Sequence, residues 1–177
     1  MNKRIFLPLL VLLLAASSCT SVRVVTDYDR NANFGTYQTF AFYKPGIDKA
    51  KISDLDKKRI LRAIDAELMA KGMQKNEKPT ILVSIFTKES ERVDVYHNNF
   101  GWGWGWNPWW YGGYYGNSVS RTTEGTLYID FIDANTNELV WQGMGTSRLI
   151  TSGDVEAKEE RIKEIVHEIL AKYPPNQ

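Results

Sequence analysis

Few side chains in this sequence are of types that do chemistry, and their spacing narrows the choice further. His97 and His167 are the only two histidines, and neither stands at a metal-ligand spacing. The single cysteine, Cys19, excludes an intramolecular disulfide and a cysteine-rich metal site. Four carboxylates, Glu124, Asp130, Asp133 and Glu138, cluster in sequence and can be imagined as the acid and base of a hydrolase. The local pattern gives them simpler work. Asp130 alternates outward on a strand, while Asp133 and Glu138 bracket a turn. Gly101, Gly103 and Gly105 alternate with tryptophan and precede no helix, so they make no phosphate-binding loop. The charges Glu159, Glu160, Arg161 and Lys163 read as the solvated face of a helix. These residues predict no catalytic constellation, no metal and no cofactor.

The thiol of Cys19 is different, because its neighbours give it a use. Lys3 and Arg4 precede an apolar run from Ile5 to Ala16, broken only by Pro8, and Ser17 and Ser18 follow. That is the order of an export leader. Its apolar part is about a dozen residues, short of the roughly 20 that span a bilayer. Ala16-Ser17-Ser18-Cys19 resembles a bacterial lipobox, whose cysteine is alkylated with diacylglycerol before the leader is cut away. A thiol suits that alkylation because it is a good nucleophile. The alternative is an ordinary secretory leader, which would leave an unpaired thiol in an oxidising compartment. The expectation is a leader at 1–18, a lipidated tether at 19–21 and a membrane held through Cys19. Thr20 and Ser21 lack the acidic residues often associated with other destinations, which favours the periplasmic side of the outer membrane.

The chain has 177 residues, 43% of them hydrophobic and 24% charged, which suits one folded domain. Its formal charge is +1. Loss of Lys3 and Arg4 with the leader leaves 20 basic against 21 acidic side chains. Such a domain has no electrostatic footprint for nucleic acid or an anionic membrane surface.

Val22–Asp29 and Thr36–Tyr43 read as strands separated by turn residues, and a hairpin is the default pairing. Ser53–Lys71 reads as a helix capped by Ser53, closed by Gly72, and striped by Ile60, Leu61, Ile64 and Leu68. Thr80–Thr87 carries apolar residues on both faces and reads as an interior strand. Thr126–Ile132 alternates cleanly, with Leu127, Ile129 and Phe131 facing one way, and turns at 133–138 into a partner at Leu139–Gly145. A last helix, Asp154–Lys172, buries Val155, Ile162, Ile165, Val166, Ile169 and Tyr173, and Pro174-Pro175 stops it. The expected fold class is α+β: one two-layer domain over 22–175, a mainly antiparallel sheet with two amphipathic helices on one face. The element order is β-β-α-β-loop-β-β-α.

Glu124–Asp133 followed by Leu139-Val-Trp-Gln-Gly143 resembles the envelope lipoproteins grouped as the domain of unknown function 4136 family. So do Val24–Tyr28 with Tyr37–Phe40, and the closing Tyr173-Pro-Pro175. The resemblance covers nearly all of the chain after the leader. It implies an α+β lipoprotein domain and brings no catalytic residues with it.

Between the two middle strands, at 97–118, lies a loop unlike the rest. Residues 100–117 comprise nine aromatics, six glycines, two asparagines and Pro108, without a charge. The aromatics include Trp102, Trp104, Trp106, Trp109, Trp110, Tyr111, Tyr114 and Tyr115. Alternating Gly-Trp is no helix, but it can extend the flanking strands as an arm. One reading has the aromatics collapse onto one another or onto the domain. The others are contact readings: an envelope protein partner, a membrane interface, or a glycan stacked on the rings. The expectation is a non-catalytic envelope lipoprotein using this loop for contact with a protein or membrane surface, with glycan binding as the alternative and hydrolysis behind both.

Overall fold

The structure is a computed structural model that describes residues 22–96, 118–150 and 153–175. In chain order it contains β1 (Arg23–Tyr28), β2 (Thr39–Phe42), α1 (Lys44–Ile47), α2 (Asp54–Ala70), β3 (Gln74–Lys75), β4 (Ile81–Tyr96), β5 (Ser118–Asp133), β6 (Leu139–Arg148) and α3 (Val155–Leu170). A 3-10 turn, Phe34–Thr36, precedes β2. The strands form one six-stranded mixed sheet in the order β1-β6-β5-β4-β2-β3. The fold is α+β, as the periodicities imply.

Both long helices begin where their side chains satisfy the first turn. Ser53 Oγ accepts from the Asp56 backbone N–H at 3.1 Å, and Asp154 Oδ1 accepts from that of Ala157 at 3.0 Å. Gly72, at φ 85°, closes α2. The helices bury Ile60, Ile64 and Leu68 from α2, and Val166, Ile169 and Leu170 from α3. Against them lie Ile81, Val83 and Ile85 of β4 with Leu127, Ile129 and Phe131 of β5. Alternation on β5 therefore reports its buried face correctly. Gly143 and Gly145 give α3 its close seat on β6, since a Cβ at either would collide with Ile169.

Three expectations change. The first two strands do not form a hairpin: β1 pairs antiparallel with β6, while β2 pairs parallel with β4 and β3. The connection between them crosses the lower end of the core, anchored by buried Phe34, whose ring meets Tyr28, Tyr37 and Tyr173 edge-on. Such a crossing is too long for a tight turn to set the pairing. Thr36 and Tyr37 precede β2 rather than belong to it. Val155 is 56% exposed, because the first residue of α3 lies before the turns that cover the sheet.

The opposite sheet face carries Val25, Met144, Tyr128 and Phe86 in register across four strands. Its outer members, Val25 and Phe86, are exposed. Interior position and apolar residues on both faces of β4 thus do not mean cover on both sides.

Candidate functional site

The β4–β5 ladder runs unbroken from Ile81–Asp133 to Tyr96–Ser118. Its neighbours stop much earlier. β2 leaves β4 at Val83, and β6 leaves β5 at the Glu124–Arg148 pair. Beyond Ser90–Glu124, six further pairs make a two-stranded arm, roughly 20 Å long at about 3.3 Å per residue. Hairpin chemistry drives this: Val93, Val95 and Val119 and the threonines of 122–123 favour extended backbone. The arm carries residues 97–117 at its outer end. Trp102, Trp104, Trp106, Trp109, Trp110, Tyr111, Tyr114 and Tyr115 all lie outside the described residues, as do Cys19 and the rest of the leader.

The start of β1 is at the same end. Arg23 pairs with Thr146, which pairs with Thr126, which pairs with Lys88. One step further out, Val22 is buried and begins the described chain. Cys19 is three residues upstream of it. The arm and the amino terminus of the domain therefore leave one end of the sheet.

A cavity of about 240 Å³ opens at this end, between the sheet and the first turns of both long helices. Ile60, Leu127, Leu149, Ile162 and Ile165 make its walls. Thr87 Oγ1, also in the lining, is buried with no hydrogen-bond partner among the described residues. At the mouth, Asp56 ties the helices together. It accepts from Arg59 at 2.8 Å and pairs with Lys158 at 3.5 Å, while Arg59 reaches Glu159 at 3.1 Å. Burial pushes the Asp56 carboxyl up, but hydrogen bonds from Ser53 and Arg59 and the charge of Lys158 outweigh it and hold the group below the usual carboxylate range.

The sequence's acidic cluster does not converge. Glu124 pairs with Arg23 at 2.6 Å. Asp130 accepts from Gln142 Nε2 at 2.7 Å across the strands, and burial raises its pKa against that bond. Asp133 caps its turn, accepting from the backbone of Asn135 at 2.7 Å and Thr136 at 3.0 Å and from the Tyr37 hydroxyl at 2.9 Å. The Thr136 and Asn135 N–H groups and Tyr37 lower its pKa against burial. Tyr37 is pushed up to about 12, by burial first and then by Asp133. Glu124 and Asp130 are six residues apart on β5, roughly 20 Å, so they share no substrate atom. His167 lies in the last turn of α3, 62% exposed, with Nδ1 3.1 Å from Glu67 Oε1. His97 is outside the described residues. Among the described residues no group of three acidic, histidine or cysteine side chains could hold a metal, and no helix is long and apolar enough to cross a membrane.

Sequence reasoning missed Thr87, Arg148 and Lys158 as neighbours of one cavity. They stand on β4, β6 and α3, and only strand order and helix packing join them.

Two solved structures share the fold. A PDZ domain protein from Parabacteroides distasonis superposes with a TM-score of 0.53 at 15% identity, over 94% of this chain and 40% of that one. This chain thus spans less than half of that protein. PelC from Paraburkholderia phytofirmans, solved as a dodecamer, superposes with a TM-score of 0.51 at 13% identity, over 88% and 99%. At these identities the likeness is one of fold. No curated protein sequence matches the chain. The family model described as Domain of unknown function (DUF4136) matches residues 24–175, all of the sheet and helices but Arg23, and the chain belongs to that family.

Proposed function

We propose that the protein is a non-catalytic lipoprotein of a bacterial cell envelope, held through lipid on Cys19 at the periplasmic side of the outer membrane, whose aromatic loop meets the membrane surface. One observation carries this reading: Val22 and the arm leave the sheet at the same end. From Thr126 to Ser118 the arm rises eight residues, about 26 Å. From Arg23 to Cys19 the chain reaches at most about 14 Å. The arm thus outreaches the tether by about 12 Å or more, so a domain tethered at Cys19 brings the end of the arm to the headgroups with the arm tilted away from the membrane normal. The tip is suited to that depth, since it is uncharged over 100–117 and rich in tryptophan and tyrosine, the residues of membrane interfaces.

The test is cosedimentation with vesicles of phosphatidylethanolamine and phosphatidylglycerol, using chains that carry Cys19→Ser so that the lipid does not mask the loop. The intact loop should give measurable binding, and replacing 97–117 with a short Gly/Ser turn should abolish it. Equal binding by both chains overturns the reading. Binding to peptidoglycan or to an envelope protein instead, lost with the loop, would transfer the contact to glycan or partner. In cells, Cys19→Ser should remove the mass added by lipid and release the protein from membranes.

A further inference from the structure

We propose that the open face of the sheet packs against the same face of a second copy of this chain, about a two-fold axis that runs across the strands along the row Val25, Met144, Tyr128 and Phe86. The contact needs neither lipid on Cys19 nor the aromatic loop. Strand alternation and the ladder registers build this face in rows. The apolar row is its middle, with Val25 60% and Phe86 47% exposed. Two residues toward the arm, Arg23, Thr146, Thr126 and Lys88 stand side by side. Arg148 and Glu124 follow beyond them, and Glu124 is paired with Arg23. Two residues the other way stand Asp27, Gln142, Asp130 and Ser84. On these rows the arm end carries three cations and one anion, and the far end two anions.

This charge pattern selects the occupant. A partner of one sign would be drawn to one end of the face and repelled by the other. The basic and acidic rows lie about 7 Å on either side of the apolar one, so a two-fold axis along the middle sets each basic row on the acidic row of the other copy. Arg23 then faces Asp27 of the second copy, and the apolar side chains meet their own kind in the roughly 10 Å between packed sheets. Asp130 is half-buried in the single chain, with the neutral Gln142 amide as its donor, and Lys88 of the second copy brings it a cation. Helix α1 closes the face at Ser84, where Gly46 lies against the hydroxyl. Four strands and five residues make a patch of roughly 300 Å², under half of the ~800 Å² that each partner buries in a standard interface. The association is therefore weak, and dilute protein is monomeric. The axis runs from β1 toward β4, so the amino-terminal strands of both copies lie at one end of it and can be tethered to one surface.

The experiment is sedimentation velocity of the chain carrying Cys19→Ser, at concentrations from micromolar to millimolar. A monomer–dimer equilibrium is expected. Val25→Glu should remove it and leave the melting temperature of dilute protein unchanged, because Val25 is exposed. Asp27→Lys and Arg23→Glu should each weaken self-association about tenfold or more, since each sets like charges face to face. An equimolar mixture of those two variants should dimerise as well as the parent chain, because the two substituted positions then meet across the axis with opposite charge. Replacing 97–117 with a short Gly/Ser turn should leave the dimer intact. Monomer alone over the whole range overturns the proposal. So does association that Val25→Glu leaves unchanged, or a mixture that dimerises no better than either variant by itself. Association lost with the loop but kept by Val25→Glu would belong to the tip of the arm, and it overturns the proposal as well.

Discussion

Tyr96 lies opposite Ser118 at the outer end of the β4–β5 ladder, six pairs past Ser90–Glu124, the last pair at which β6 still flanks β5. Backbone pairing there has no third strand to lean on, and a two-stranded ribbon alone is marginal in water. The arm is held by the domain rather than holding it. Replacing residues 97–117 with a short Gly/Ser turn should therefore shift the melting temperature by no more than a few degrees, because loop-closure entropy changes slowly with length. A melt that collapses would show that the aromatics are part of the core.

Ile129→Ala should cost about 2–5 kcal/mol, as Ile129 is fully buried between the helices and its β4 partner Ile85. Tyr128→Ala should cost distinctly less. Tyr128 is on the open face, half-buried, with its ring centroid 5.6 Å from that of exposed Phe86. Urea titration of both variants checks the contrast, and equal losses would mean that the open face is covered.

Gly143→Ala should destabilise by about 1–3 kcal/mol, the usual cost of overpacking, since the new methyl meets both Ile169 and the Trp141 ring. Gly153→Ala serves as the control: nothing lies within 4 Å of a Cβ there, and its effect should stay within about 0.5 kcal/mol.

Two aspartates should give opposite pH signatures. The folded pKa of Asp133 is depressed, chiefly by the Thr136 N–H. Its contribution is present above the unfolded value near 4 and is lost as pH falls through the lower folded value. Asp133→Asn should lower the melting temperature at pH 7 and matter less at pH 3. Burial raises the folded pKa of Asp130, so its contribution is present below the unfolded value and is lost as pH rises through the folded one. Asp130→Asn keeps an oxygen to accept from Gln142 and should be neutral or stabilising at pH 7, with no such advantage at pH 3. Calorimetric melts at the two pH values read both signs.

What was legible in the sequence was what is local. The period of Leu127, Ile129 and Phe131, the cap at Ser53, the start of the last helix at Asp154, and the turn at Asp133 each rest on a few neighbouring residues, and each recurs in the structure. The β1–β6 pairing was not legible, because it joins residues about 120 positions apart and no turn dictates it. Val155 failed for a related reason, since a helical period marks a stripe but not how far the sheet extends beneath it. The extent of the arm was only half legible. Val93, Val95 and Val119 favour extended backbone, but nothing local marks how far Ser90–Tyr96 and Ser118–Thr123 continue the ladder set by Ile85 and Ile129. The cavity draws Thr87, Arg148, Lys158 and Ile60 from four elements, which only strand order and helix packing bring together.

Tryptophan emission offers the most direct test of the membrane contact. Five of the six tryptophans lie in the loop at 102–110, and the sixth, Trp141, is fully buried in the core beside Phe131 and Tyr173. Emission that responds to lipid must therefore come from the loop. The lipidated protein should be reconstituted into vesicles of phosphatidylethanolamine and phosphatidylglycerol, with and without phosphatidylcholine brominated along its acyl chains. If the tip rests in the interface, bromination near the carbonyl should quench most of the loop's emission, and bromination near the chain ends should quench less. Emission that is the same in brominated and plain vesicles, with the protein still bound through its lipid, would contradict the account.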